Sequence, residues 1–209
     1  IPWAGHPTIG TVAARRERGL SGAGEIRLET GAGIVPVTVT GDQIEMTQIA
    51  PEFGPKPDPA LVAAAISLPV EAILGAPQKV STGLPFCITV LKDQTALAQA
   101  QLDLPALARL GQALGADGID MMEPFLVTLQ GATELGDTYS RLLMAPPSPP
   151  EHPFTGSATG AMAAYLWRNG LMQQDSFVAE QGHGMGRPGM ARVTRLGPCD
   201  ALQGIKVSG

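Results

Sequence analysis

The chain has 209 residues, 44% hydrophobic and only 16% charged, with a net charge of −5. That is long enough for one large domain or two small ones with a packed core. Its 14 basic residues form no block beyond Arg15-Arg16, which argues against a nucleic-acid partner, and no apolar stretch reaches the roughly 20 residues of a membrane span, which argues against a membrane partner. The two cysteines, Cys87 and Cys199, lie far apart without CxxC spacing, so neither a disulfide framework nor a structural metal is expected. Cys87 sits in the apolar run Pro85–Val90 and reads as a small core residue.

In chain order, Ile1–Thr8 reads as a turn entering a helix, with Pro7 suited to the first helical position. Ile9, Val12 and Ala13 recur at helical spacing, and Gly19 and Gly22 end the helix. Three alternating segments follow, Glu25–Thr30, Ile34–Thr40 and Gln43–Gln48. Their β-branched content and the turns at Gly31 and Gly41-Asp42 predict a strand meander. Pro51–Pro59 is a Pro-rich crossing between halves, followed by a short helix at Pro59–Ile66. Strands are expected within Lys79–Val90 around Gly83, then a helix at Leu104–Leu114 ended by Gly115, then strands at Phe125–Gln130 and Thr138–Met144.

Ala145–Pro150 is too Pro-dense for a helix or a central strand and reads as an extended approach. The next helix runs from about Thr155–Ala158 to Asn169-Gly170, and its small residues on every side predict burial all round. Strands at Ser176–Glu180, Ala191–Arg195 and Gly204–Val207 close the chain, around a glycine-rich loop at Gln181–Gly189. The pattern is α+β: two curved, mostly antiparallel sheets, each wrapped round a central helix. The boundaries drawn are 1–55 for the remainder of a first half, 56–190 for a second half, and 191–209 for a return toward the first. Ile1 falls inside a motif and Lys206–Gly209 reads as a strand cut mid-course, so further chain is expected beyond both.

The two helix starts carry the chemistry. Gly5-His-Pro-Thr-Ile-Gly10 and Gly156-Ser-Ala-Thr-Gly160 both place glycine and a hydroxyl residue in a first turn. A first turn presents N–H groups without intrahelical partners at the positive end of the dipole, and glycine lets a ligand approach them. Two such ends facing one cleft would hold a carboxylate and stabilise charge developing on it; the same glycines also suit close packing of buried helices. Two of the three histidines, His6 and His152, flank these starts, where a histidine can give or take a proton near neutral pH. His183 lies in the glycine-rich loop. That loop lacks a GK[ST] ending and GxGxxG spacing, so a nucleotide site is rejected. The GxSxG elbow of a serine hydrolase is absent too, leaving Ser157 as a helix-start donor or cap.

Three motifs in register then resemble one family. Ala4–Thr11 is similar to the AGHPT helix start of PhzF-like (phenazine biosynthesis) proteins, Glu151–Ala158 to their E-D-P-x-T-G-S-A segment, and Gln181–Pro188 to their late Q-G-x-x-M-G-R-P. The resemblance implies a diaminopimelate epimerase-like fold of two pseudo-symmetric halves in a cytoplasmic homodimer. It implies an isomerase or epimerase that moves a proton on a small carboxylate substrate and needs no cofactor or metal. By match to the motifs, His6 and His152 would be catalytic, and Gly5, Thr155, Gly156 and Ser157 would bind substrate. The family's acid/base glutamate belongs upstream of the first motif, and no glutamate here takes its place. His152 stands where the family usually has aspartate, a donor in place of an acceptor, which points to a different substrate or proton path. A catalytically inactive homologue that binds a small acid and an amino-acid racemase-like enzyme are the alternatives.

Overall fold

The computed structural model describes residues 5–30, 33–116 and 123–209, with side chains at 8–29, 34–116 and 123–209. The expected turns at Ile1–Ala4 and at Gly31 lie outside the described residues. Helix α1 (Gly5–Glu17) leads into a meander of β1 (Gly24–Thr30), β2 (Gly33–Thr40) and β3 (Gln43–Gln48). Its strands pair antiparallel through Ile26↔Val37 and Val37↔Met46. Period-two alternation sets one face inward: Val35, Val37 and Val39 of β2 and Ile44 and Met46 of β3 cluster with Val12 of α1. Val12 is fully buried, but Gly10, Thr11, Ala14, Arg15 and Glu17 are exposed.

The Pro-rich crossing contains a two-residue strand, β4 (Glu52–Phe53), before α2 (Pro59–Ala65), β5 (Ile73–Ser81) and β6 (Pro85–Leu91). Strand β5 starts six residues earlier than Lys79, where the sequence reading began it. Gly75 at φ 70° and Pro77, which has no N–H to give, break the alternation there, and the register with β6 shifts between Leu74 and Gln78. Then come α3 (Gln94–Gln99), which the sequence reading missed, α4 (Leu104–Ala113), β7 (Pro124–Thr128) and β8 (Thr138–Leu143). Strands β6 and β7 are covered on both faces. Phe86, Ile88, Val90, Phe125 and Val127 join the inner core, while Cys87, Leu91 and Leu126 join an outer core with α2, α3 and α4. Hence both strands read as unbroken apolar runs rather than alternating ones.

A short strand β9 (Glu151–His152) on the edge of β8 precedes α5 (Gly156–Arg168), then β10 (Ser176–Gln181), β11 (Gly189–Leu196) and β12 (Gly204–Ser208). The strand order is β1-β2-β3-β12-β11-β10-β8-β7-β6-β5-β4, with β6–β7 and β8–β10 parallel and the other pairs antiparallel. The two expected sheets are thus bonded into one ladder, because β12 sits between β3 and β11 through Val207↔Met46 and Val207↔Val193. Helix α5 packs on β5, β6, β7, β11, β12 and α1. Every residue from Gly156 to Trp167 is buried, as its small side chains predict. No helix among the described residues is long and apolar enough to cross a membrane.

Candidate active site

The start of α5 is held open by its own approach segment. Thr155 is the N-cap residue, yet its side chain makes no cap hydrogen bond. The hydroxyl is engaged elsewhere: it lies 3.0 Å from Nδ1 of His152 and accepts from Nε2 of Gln181 at 3.2 Å. Gln181, fully buried at the end of β10, also takes the Thr155 N–H on Oε1 at 2.9 Å and donates from Nε2 to the His152 carbonyl at 2.8 Å. One glutamine therefore clamps the turn 152–155. From the other side, Arg141 of β8 donates to both carboxylate oxygens of Glu151 at 2.7–3.2 Å and to the Leu97 carbonyl at the end of α3 at 2.7 Å. Such a two-pronged pair, nearly buried, fixes geometry as well as charge.

The inner side of the first turn is fixed by Gln48. Its Nε2 donates to the Gly156 carbonyl at 2.8 Å, and its Oε1 accepts from the Thr82 hydroxyl at 2.5 Å. A Cβ at Gly160 would collide with that Gln48 amide, so glycine at 160 is what lets the strand end reach the helix. Ser157 is 7% exposed, with its carbonyl 3.5 Å from the Thr82 hydroxyl.

A cavity of about 250 Å³ lies between the two helices. Ile9 and Gly10 of α1 line it together with Phe154, Gly156, Met190 and Val207. The structure thus brings His152 and Thr155 into one hydrogen-bonded unit and places Gly156 on a cavity that α1 shares. Gly5 opens α1; the side chain of His6 lies outside the described residues.

Other polar groups are committed elsewhere. His183 sits in a single 3-10 turn, His183–Met185, with Nε2 3.6 Å from Glu180 Oε1. Glu180 is fully buried and accepts from the Thr133 hydroxyl at 2.6 Å and the Thr133 N–H at 2.9 Å. Burial pushes its pKa up, but the hydrogen bonds from Thr133, the nearby His183 and the Ala132 N–H outweigh that and leave it lowered. Cys87 is a core residue as expected; burial drives its thiol up to about 12 against a smaller opposing hydrogen bond from Thr89, so it is no nucleophile.

Sequence reasoning quoted Gln181 inside a motif without giving it a task, and it missed Gln48, Thr82 and Arg141. One signal for Gln48 was available. It stands in the inward phase of β3 with Ile44 and Met46, a polar side chain at a core position. Nothing in the sequence announces Arg141, whose partners are 10 and 44 residues away.

Comparison with known proteins agrees with this architecture. The model of the PhzC-PhzF family, described as phenazine biosynthesis-like protein, matches residues 1–209. The uncharacterized isomerase YfhB of Bacillus subtilis is 28% identical over 203 residues, covering 90% of this chain and 66% of that protein. An uncharacterized isomerase of Clostridium acetobutylicum is 29% identical over 223 residues, covering 100% and 72%. The chain therefore spans only about two thirds of the length of such relatives. Among solved structures, a PhzF-family phenazine biosynthesis protein of Bacillus anthracis matches with a TM-score of 0.81 at 24% identity, over all of this chain and 73% of that one. A predicted epimerase from Pseudomonas aeruginosa matches with 0.77 at 30% identity, over 100% and 71%. The fold is the diaminopimelate epimerase-like one expected from the motifs.

Proposed function

The chain belongs to the phenazine biosynthesis-like PhzC-PhzF family, and from that premise we propose that it serves an isomerase or epimerase that moves a proton on a small carboxylate without a cofactor. The observation that carries this reading is the open start of α5, whose N-cap residue makes no side-chain cap hydrogen bond and which borders a cavity that α1 also lines. A substrate carboxylate docked there accepts from the N–H groups of Gly156 and Ser157 at the positive end of the helix. When a proton leaves the adjacent carbon, the electron pair delocalises into that carboxylate, and the same amides stabilise the extra charge. Apolar walls at Ile9, Phe154, Met190 and Val207 strengthen these interactions by keeping water out.

In this reading His6 and His152 hydrogen-bond the substrate, Gly5 gives it room at the start of α1, and Thr155 holds His152. Among the described residues the nearby acids are already engaged, and the base that takes the carbon proton is neither Glu151 nor Glu180. Glu151 is engaged by Arg141 and Glu180 by Thr133. Relatives named isomerases support the reaction class. A cytoplasmic homodimer goes with the same proposal.

The test is hydrogen exchange. The full-length protein is incubated with a panel of small carboxylic acids in deuterated water, and deuterium is expected at the carbon beside the carboxylate of the true substrate. Ser157→Pro removes one amide donor while leaving a first-turn residue that helices accept. Exchange is expected to fall at least about tenfold in that variant, the scale of one charge-assisted hydrogen bond. Binding without exchange, or unaltered exchange in Ser157→Pro, would overturn the proposal.

A further inference from the structure

The amide of Gln181 faces two backbone groups that admit one orientation. The Thr155 N–H can only donate and lies 2.9 Å from Oε1; the His152 carbonyl can only accept and lies 2.8 Å from Nε2. Turning the amide over would set nitrogen against N–H and oxygen against C=O, so its direction is fixed by chemistry. The second hydrogen of Nε2 then falls to the Thr155 hydroxyl at 3.2 Å, which makes that oxygen an acceptor. A hydroxyl has one proton to give, and among the described residues the other partner of Thr155 Oγ1 is Nδ1 of His152, at 3.0 Å.

We propose that Gln181 sets the tautomer of His152 through Thr155, so that Nδ1 accepts from the hydroxyl and the neutral ring carries its proton on Nε2. The opposite arrangement, with Nδ1–H donating to the hydroxyl, leaves the hydroxyl proton without an acceptor at a residue that is 9% exposed. Gln181 is on this account a positioning residue, acting through a chain of three groups whose first link is locked by backbone. The consequence, which rests on the reading of His152 as a substrate-contacting group, is one of polarity. In that tautomer Nε2 of a neutral His152 is a donor and cannot take a proton, so where the ring meets the substrate it selects an acceptor atom and leaves carbon deprotonation to another group. An aspartate at 152 would ask for the reverse.

The experiment is long-range ¹H–¹⁵N correlation on the full chain labelled with ¹⁵N-histidine, at a pH above the titration of the rings. Only three histidines contribute, and His152→Gln assigns the signal of interest. The expected pattern for His152 is a protonated Nε2 and a bare Nδ1. In Gln181→Glu the carboxylate accepts both the Thr155 N–H and its hydroxyl proton, so the oxygen must now accept from the ring, and the proton is expected to move to Nδ1. Thr155→Ser is expected to keep the wild-type pattern, and Thr155→Val to lose its single-tautomer character. A wild-type proton on Nδ1 would overturn the inference. So would Gln181→Glu with an unchanged His152 pattern while His6 and His183 stay as in the wild type. Should Gln181→Glu not fold, the Ser and Val pair at 155 decides, since a Val variant with the wild-type pattern refutes the role of the hydroxyl. No substrate is needed, so this inference can fail while the isomerase reading stands, and the exchange test can fail while the tautomer holds.

Discussion

Helices α2, α3 and α4 on the outer face and helix α5 in the centre begin in opposite ways. Each outer helix is capped by its own aspartate: Asp58 accepts from the Ala60 N–H at 2.9 Å, Asp93 from Ala96 at 2.7 Å and Asp103 from Ala106 at 2.8 Å. Each carboxylate satisfies an orphan amide and complements the helix dipole. Helix α5 is the most deeply buried of the four, so an unsatisfied first turn is most costly there, yet its cap residue turns its hydroxyl toward His152 and Gln181. Outer helices are finished by their own sequence. The central one is left unfinished by its own side chain, and a clamp of Gln181, Gln48 and the Arg141–Glu151 pair holds it in that state. Stabilisation left unused in one place, and support of that place from three sides, is the pattern that the proposed carboxylate-binding end requires.

The contrast breaks most easily at Gly182. It sits at φ 84° directly after Gln181, and a Cβ there would collide with the carbonyls of Pro153 and Arg187. Gly182→Ala combines left-handed strain with displacement of the backbone that the clamp grips, and about 3 kcal/mol or more of lost stability is expected in chemical denaturation. A loss below about 1 kcal/mol would mean that the clamp yields, and that the open start of α5 is not rigidly presented.

Glu180, one residue before the clamp, gives the next largest effect. Its lowered folded pKa makes it a source of stability that is complete above about 4.5, the ordinary value for its carboxyl, and is lost as pH falls through the folded value. Glu180→Gln is expected to cost about 2 kcal/mol at neutral pH, as a buried hydrogen-bonded charge is replaced. The variant should also lose less stability than the wild type between pH 5 and roughly pH 3, because it has no carboxylate there to protonate. Denaturation midpoints across that range check both. Asp103→Ala comes third, with a loss of about 1 kcal/mol and no effect on the α5 site, since it removes a cap from a helix that carries none of the proposed chemistry.

Much of this contrast was legible beforehand. The small residues of Gly156–Arg168 announced a helix buried all round, and the alternation of Ile34–Thr40 and Gln43–Gln48 announced the meander, because period alone fixes which side chains meet the core. Helix α3 was missed because six residues carry too little periodicity to register. The site was half legible. Motif residues at 152–157 name the parts, but the clamp joins positions 10 to 108 residues apart, and local pattern holds no record of such pairings.

The smallest expected change in stability is also the most direct probe of the contrast. Thr155→Asp would give α5 the cap that α2, α3 and α4 already have. A carboxylate at 155 can accept from the Ser157 or Ala158 N–H, gaining about 1 kcal/mol, while loss of the Gln181-to-hydroxyl bond takes about as much away. The net shift should stay within about 1 kcal/mol. Binding should respond quite differently. With benzoate as probe, the backbone amide signals of Gly156 and Ser157 are expected to shift on titration in the wild type and to stay fixed in the variant, because the built-in carboxylate occupies the donors and repels the added one. If the capped helix still takes benzoate at those amides, the open start is an accident of packing, and the difference between the central and outer helices carries no functional meaning.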